Sequence, residues 1–165
     1  MRTAVLIALV FLTSVLNGAP SDPRLELPTA LNFVRYCSSM FGEAPFAVSL
    51  EDTRLAPLLD YYRNVDAGDL EAILVLFSNE PVYTRNGEQF VGTKAVRDFF
   101  IERLQRLRGE HRLLGASIKG NQYFFHGTFE GTQFGEPIHV DFFDYWVLDS
   151  EGKVFYRQSW TSKPV

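Results

Sequence analysis

The sequence predicts an α+β fold in which a curved sheet wraps around three helices. Apolar residues recur at helical spacing in three segments between residues 53 and 109. From residue 111 to 161 the chain then reads as four strands separated by turn clusters. Helices followed by a run of long strands is the order of an α+β domain, not of an alternating α/β one.

The bulk properties agree with a folded domain. A chain of 165 residues, 46% of them apolar, suits one domain with a real core. It holds 15 phenylalanines, 7 tyrosines and 2 tryptophans, and that aromatic volume needs a thick core, a pocket wall or a subunit interface. The formal net charge is −4 with no basic block, so no nucleic-acid partner is expected. The single cysteine, Cys37, excludes a disulfide framework within the chain and reads as a small buried hydrophobe.

Residues 1–19 read as a secretory signal, so the protein is expected to be secreted or exported. Arg2 supplies the positive start, residues 4–12 are unbroken apolar, and residues 13–19 turn small and polar. The apolar run is shorter than the ~20 residues of a membrane span, so no stable span is expected. The cleavage site is imperfect, with Asn17 or Leu16 at the −3 position. An uncleaved anchor or a plain apolar helix therefore fits the same residues. Residues 20–52 read as a linker and an N-terminal helical extension, with Phe33, Val34 and Cys37 on one face. The domain proper is expected at 53–165.

The first core helix carries Leu55, Leu58, Leu59 and Tyr62 at helical spacing, with Pro57 in its first turn. Gly68 stops it and Asp69 caps the next. Leu70, Ile73, Leu74 and Phe77 form the second stripe, which Pro81 ends. Asn86-Gly87 signals a two-residue hairpin between short strands at 82–85 and 89–91. Thr93 is the expected cap of a third helix with Val96, Phe99, Phe100, Leu104 and Leu107 inward. Lys94, Arg97, Arg103, Arg106 and Arg108 read as its solvated face. Gly109 is its expected end.

Side-chain parity singles out one strand. On 138–148, one face carries Ile138, Val140, Phe142, Asp144, Trp146 and Leu148. Asp144 is the only ionisable group on that face. A carboxyl there must find a partner or stay protonated, which makes it a site candidate. The opposite face still holds Phe143 and Tyr145, so a homodimer through the outer sheet face is expected.

The stretch Tyr61-Tyr62-Arg63-Asn64-Val65-Asp66-Ala67-Gly68-Asp69-Leu70, then Leu76-Phe77, Gly92-Thr93-Lys94-Ala95-Val96, and Asp144 through Gly152-Lys153-Val154, resembles the nuclear-transport-factor-2-like superfamily. The branch it resembles is the SnoaL-like and ketosteroid-isomerase-like one, over about residues 53–160. That resemblance implies a cone-shaped, curved mixed or antiparallel sheet around three helices, a cystatin-like α+β roll. It implies a small-molecule pocket in which Tyr61 and a neutral Asp144 donate to a developing oxyanion. Where the isomerases carry their aspartate base, this chain has Arg85. The base is left open among Glu88, His126, His139 and Asp141.

The function these residues imply is an isomerase, cyclase or dehydratase acting on a small apolar carbonyl compound by acid–base chemistry. Tyr61 and Asp144 are its candidate catalytic residues. Arg85, Phe142 and Trp146 are its candidate ligand-binding residues. Arg85 inward would pair with Asp144 or bind an anion, whereas outward it is merely solvated. The alternative is a non-catalytic module of the same fold that holds a small hydrophobic molecule or dimerises. In its filled-core form it predicts no cavity near the ~300 Å3 of ordinary ligand sites. A third reading makes Tyr61 and Asp144 structural. No metal cluster, nucleotide loop or nucleophile triad is legible, so neither cofactor nor metal is expected.

Overall fold

The computed structural model describes residues 46–162. The secretory segment at 1–19, the helix of the N-terminal extension and Cys37 lie outside the described residues.

Asp52 caps a 3-10 turn, Thr53–Leu55, and helix α1, Ala56–Ala67, follows with Pro57 at its start. Gly68 ends α1 at φ 73°, the left-handed region glycine adopts without strain. Asp69 then caps α2, Leu70–Leu74, by accepting from the Ala72 amide. Helix α2 is shorter than its apolar stripe suggests, because Phe77 opens strand β2, Phe77–Arg85. Pro81 sits inside β2 where its pairing register jumps between Phe77 and Val82. Proline has no N–H for the ladder, and such an irregularity accommodates it.

The Asn86-Gly87 turn leads to β3, Glu88–Val91. Helix α3, Gly92–Arg106, starts without a side-chain cap, and Thr93 instead donates its hydroxyl to the Asn79 carbonyl at 2.7 Å. The helix ends before Gly109, and β4 already begins at Leu107. Strands β4 (Leu107–Lys119), β5 (Gln122–Gln133), β6 (Glu136–Leu148) and β7 (Val154–Thr161) complete the chain.

With an edge strand β1, Phe46–Val48, the seven strands form one sheet in the order β1-β4-β5-β6-β7-β2-β3, curled but unclosed around the helices. Only β2 and β7 pair in parallel. Strand β1 was not expected from the sequence; three residues are too few to show alternation. The inner face packs Trp146, Phe125 and Phe142 against Leu55, Leu58, Val96 and Phe100 of the helices. On the other face, Phe124 stacks on Tyr145 at 5.0 Å and His126 on Phe143 at 5.8 Å.

Glycines let β4 and β5 approach closely near their Leu107 and Gln133 ends. Gly109 pairs with Gly131. A Cβ on Gly131 would lie 2.0 Å from the Arg108 carbonyl oxygen and 2.6 Å from the Gly109 Cα. Both are backbone atoms, so the strands themselves must part. Gly131→Ala is expected to cost at least the roughly 1–3 kcal/mol of overpacking. A fall in the urea midpoint checks it, and an unchanged midpoint would show that the strands separate freely.

Candidate functional site

Strand β6 delivers Asp144 to the inner face, where it is 2% exposed. Its neighbour β7 pairs Ser159 with it and brings Arg157 alongside. The carboxylate accepts from the Tyr62 hydroxyl at 2.7 Å, from Arg157 Nη2 at 3.0 and 3.1 Å, and from the Ser159 hydroxyl. Burial by itself pushes the Asp144 carboxyl up. The Arg157 charge, followed by the hydrogen bonds from Ser159, Tyr62 and Arg157, outweighs burial and holds it below the ordinary value.

Arg157 is sandwiched among aromatic faces. Its guanidinium lies 4.2 Å from the Trp146 ring and 4.5 Å from the rings of Tyr61 and Tyr83. Its Nη1 also donates to the Tyr61 hydroxyl. The heart of the domain is thus an ion pair wrapped in rings. Replacing Tyr62 by phenylalanine removes a hydrogen bond to a buried charge, worth roughly 1.5–3 kcal/mol. Equilibrium unfolding of Tyr62→Phe checks this, and a loss below about 0.5 kcal/mol would mean water replaces the hydroxyl.

This network revises the roles given to Tyr61 and Asp144. An ionised carboxylate that accepts four hydrogen bonds has no proton to donate to an oxyanion. Tyr61 does meet Asp144, but through Arg157, and its hydroxyl is an acceptor there. Trp146 is fully buried against the same arginine rather than bordering open space.

A recess borders this network. Arg85, Arg103, His111, Phe142, Asp144 and Arg157 line it, and its free volume is about 10 Å3, the room of one water. A second cavity of about 160 Å3 shares Arg103 and Phe129 with it and is walled by Val65, Leu104 and Leu107. Both fall short of the ~300 Å3 at which ordinary ligand sites begin. The interior is mostly filled.

Arg85 points inward, since β2 pairs Arg85 with Ser159 on the inner face of β7. It does not pair with Asp144, which Arg157 already holds; its Nη1 reaches the Tyr83 hydroxyl at 3.3 Å. Arg103 corrects the reading of the third helix. It is 6% exposed and faces the interior. The signal was present: Arg103 follows Phe99 by four and Phe100 by three, the spacing of one helix face. Arg108 belongs to β4 and is exposed.

His111 also faces the recess, from β4. Its Nδ1 bonds Asp66 at the end of α1, and its backbone amide donates to the other Asp66 oxygen at 2.9 Å. Burial lowers its pKa, with the Asp66 hydrogen bond opposing and the Arg103 charge assisting. The imidazole is therefore neutral at pH 7, with Nδ1 protonated toward Asp66. No described residue bonds its Nε2. The bases considered from sequence lie elsewhere. His126 stacks on the opposite face, His139 pairs with Glu130 and Asp141 on exposed surface, and Glu88 is exposed in β3. Among the described residues no group of three or more His, Cys, Asp or Glu side chains could hold a metal ion.

Residues 58–157 match the family described as the SnoaL-like domain. The chain belongs to that family. The SnoaL-like domain shares its fold with a SnoaL-like polyketide cyclase from Shewanella denitrificans, with TM-score 0.61, 10% identity, and coverage of 68% of this chain and 92% of that one. It also resembles SalBIII, an epoxide hydrolase/cyclase-like enzyme of pyran ring formation in salinomycin, with TM-score 0.59, 21% identity and coverage of 68% and 93%. A protein of ketosteroid-isomerase-like fold from Catenulispora acidiphila aligns with TM-score 0.58 and 13% identity over 68% of this chain and 85% of that one. At these identities the likeness is one of fold. No protein of curated function matches the sequence.

Proposed function

We propose that this SnoaL-like domain is an acid–base catalyst of the isomerase, cyclase or dehydratase kind, acting on a compact carbonyl compound with His111 as its proton-transfer group. The observation that carries this reading is the His111–Asp66 pair at the Arg-lined recess. Asp66 orients the ring and fixes its tautomer, leaving Nε2 as the base. Arg85 and Arg103 supply positive charge beside this base, which favours an anionic substrate. The small cavity supports a substrate far smaller than a polycyclic polyketide.

Proton exchange tests this without a known substrate. Levulinate, which carries a ketone and a carboxylate, is incubated with the protein in deuterated buffer. Catalysed deuterium uptake beside the ketone is expected. Asp66→Asn would present a donor to Nδ1 and force the proton onto Nε2, so uptake should collapse with it. No uptake above buffer for levulinate or for neutral ketones such as cyclohexanone would sink the reading. The filled interior, with about 10 Å3 beside Asp144, favours a second reading: a non-catalytic binding module. That reading predicts ligand binding with no exchange.

A further inference from the structure

We propose that Arg85 and Arg103 form a binding site for the carboxylate of a small organic monoanion. This names the substrate class of the site above, and so rests on that reading for its catalytic meaning, although binding can be measured without turnover.

The two guanidiniums are anomalous in the fold. Arg85 is 7% exposed and Arg103 is 6% exposed. Neither has a carboxylate partner among the described residues: Asp144 is engaged by Arg157, and Asp66 by His111. Arg85 Nε and Arg103 Nη1 are buried with no hydrogen-bond partner. Both residues line the same recess. Burying a charge unpaired is expensive, and facing two like charges across one recess adds to the expense. Burial first, and Arg85 second, pull the Arg103 pKa down to about 10, which still leaves it charged at neutral pH. An anion between them removes both costs.

Charge and shape select the anion. Three guanidiniums, those of Arg85, Arg103 and Arg157, meet the carboxylates of Asp144 and Asp66 at this site. One positive charge is left over, which a monoanion neutralises and a phosphate dianion overshoots. A planar carboxylate also matches the guanidinium fork. The recess admits no more than one carboxylate oxygen. The rest of the molecule must occupy the adjoining 160 Å3 cavity, which shares Arg103 and Phe129 with the recess and sets Val65, Leu104 and Leu107 beside Asp66 and Arg108. That space holds roughly five waters at ~30 Å3 each, so this part is compact. Arg108, at the rim of this cavity, is exposed, and solvent screens its charge from the recess.

Calorimetric titration and thermal unfolding of the full chain test the site with three probes: benzoate, its uncharged isostere benzamide, and inorganic phosphate. Benzoate is expected to bind saturably, at least about tenfold tighter than benzamide, as a charge-assisted hydrogen bond of ~1.5–3 kcal/mol implies. It should also raise Tm. Arg103→Met should raise the Tm of the free protein, because it removes an unpaired buried charge, and should lose the benzoate effect. If Arg103→Met fails to fold, Arg103→Lys keeps the charge without the planar fork and should weaken benzoate by about tenfold. Equal affinity for benzoate and benzamide, absence of benzoate binding, or wild-type benzoate affinity in the folded Arg103 variant overturns the proposal. Tighter binding of phosphate than of benzoate overturns the carboxylate assignment. Benzoate binding without exchange chemistry would remove the catalytic reading alone. Exchange of neutral ketones without benzoate binding would remove this one alone.

Discussion

Replacing Asp144 by alanine is expected to cost the domain about 3–5 kcal/mol of stability. The reason is what it leaves behind. Arg157 is 4% exposed, and Asp144 is its only carboxylate partner among the described residues. Tyr62 and Ser159 also lose their shared acceptor. Set against the low end of a typical total of about 5–15 kcal/mol, that loss would leave much of the protein unfolded at 37 °C. Removing both charges together should be far milder. Asp144→Leu combined with Arg157→Met is expected to recover most of the loss, because no orphaned charge remains and the aromatic walls can close on an apolar chain. Urea unfolding of the two single variants and the double variant closes the cycle. Additive losses would mean that the pair does not act as a unit.

The same pair sets an acid limit. The folded Asp144 pKa lies below its unfolded value, so its contribution is complete above about pH 4. It is lost as pH falls through the lower, folded value. Acid unfolding should therefore be steep in wild type and shallower in the double variant.

His111→Gln is expected to reduce levulinate exchange by about 10²–10⁴-fold, the usual contribution of a positioned proton-transfer group. The pH profile separates chemistry from packing. Burial lowers the His111 pKa below its ordinary 6.5. The base is then active above that lowered value, so exchange should rise with pH through a midpoint below 6.5 and stay level across neutrality. In the glutamine variant the residual exchange should lose that limb. Stability carries the same sign: a depressed histidine pKa contributes fully above about 6.5 and fades as pH drops through the folded value. A structural role alone would show the stability effect with an exchange rate unchanged per folded molecule, and that outcome would reassign His111 to the scaffold.

Local rules decided much of this protein. Periodicity, the Gly68-Asp69 junction and the Asn86-Gly87 turn placed the helices and the first hairpin, because they depend on residues a few positions apart. Strict alternation on β6 likewise put Asp144, Phe142 and Trp146 on one apolar face. The partners of those residues were another matter. Parity says that Asp144 needs a partner, but it cannot choose among 16 lysines and arginines. The antiparallel register of β6 on β7 chose Arg157 and so turned a candidate proton donor into an ion-pair acceptor. Arg103 was legible in principle from its spacing, and was hidden by the habit of reading basic residues as solvated. The meeting of His111 with Asp66 spans 45 positions, from the end of α1 to β4, and no local signal carries it. Sequence alone determined which faces would be buried, since burial follows backbone period. Only the tertiary structure decided which charges meet there, since that depends on strand order and register.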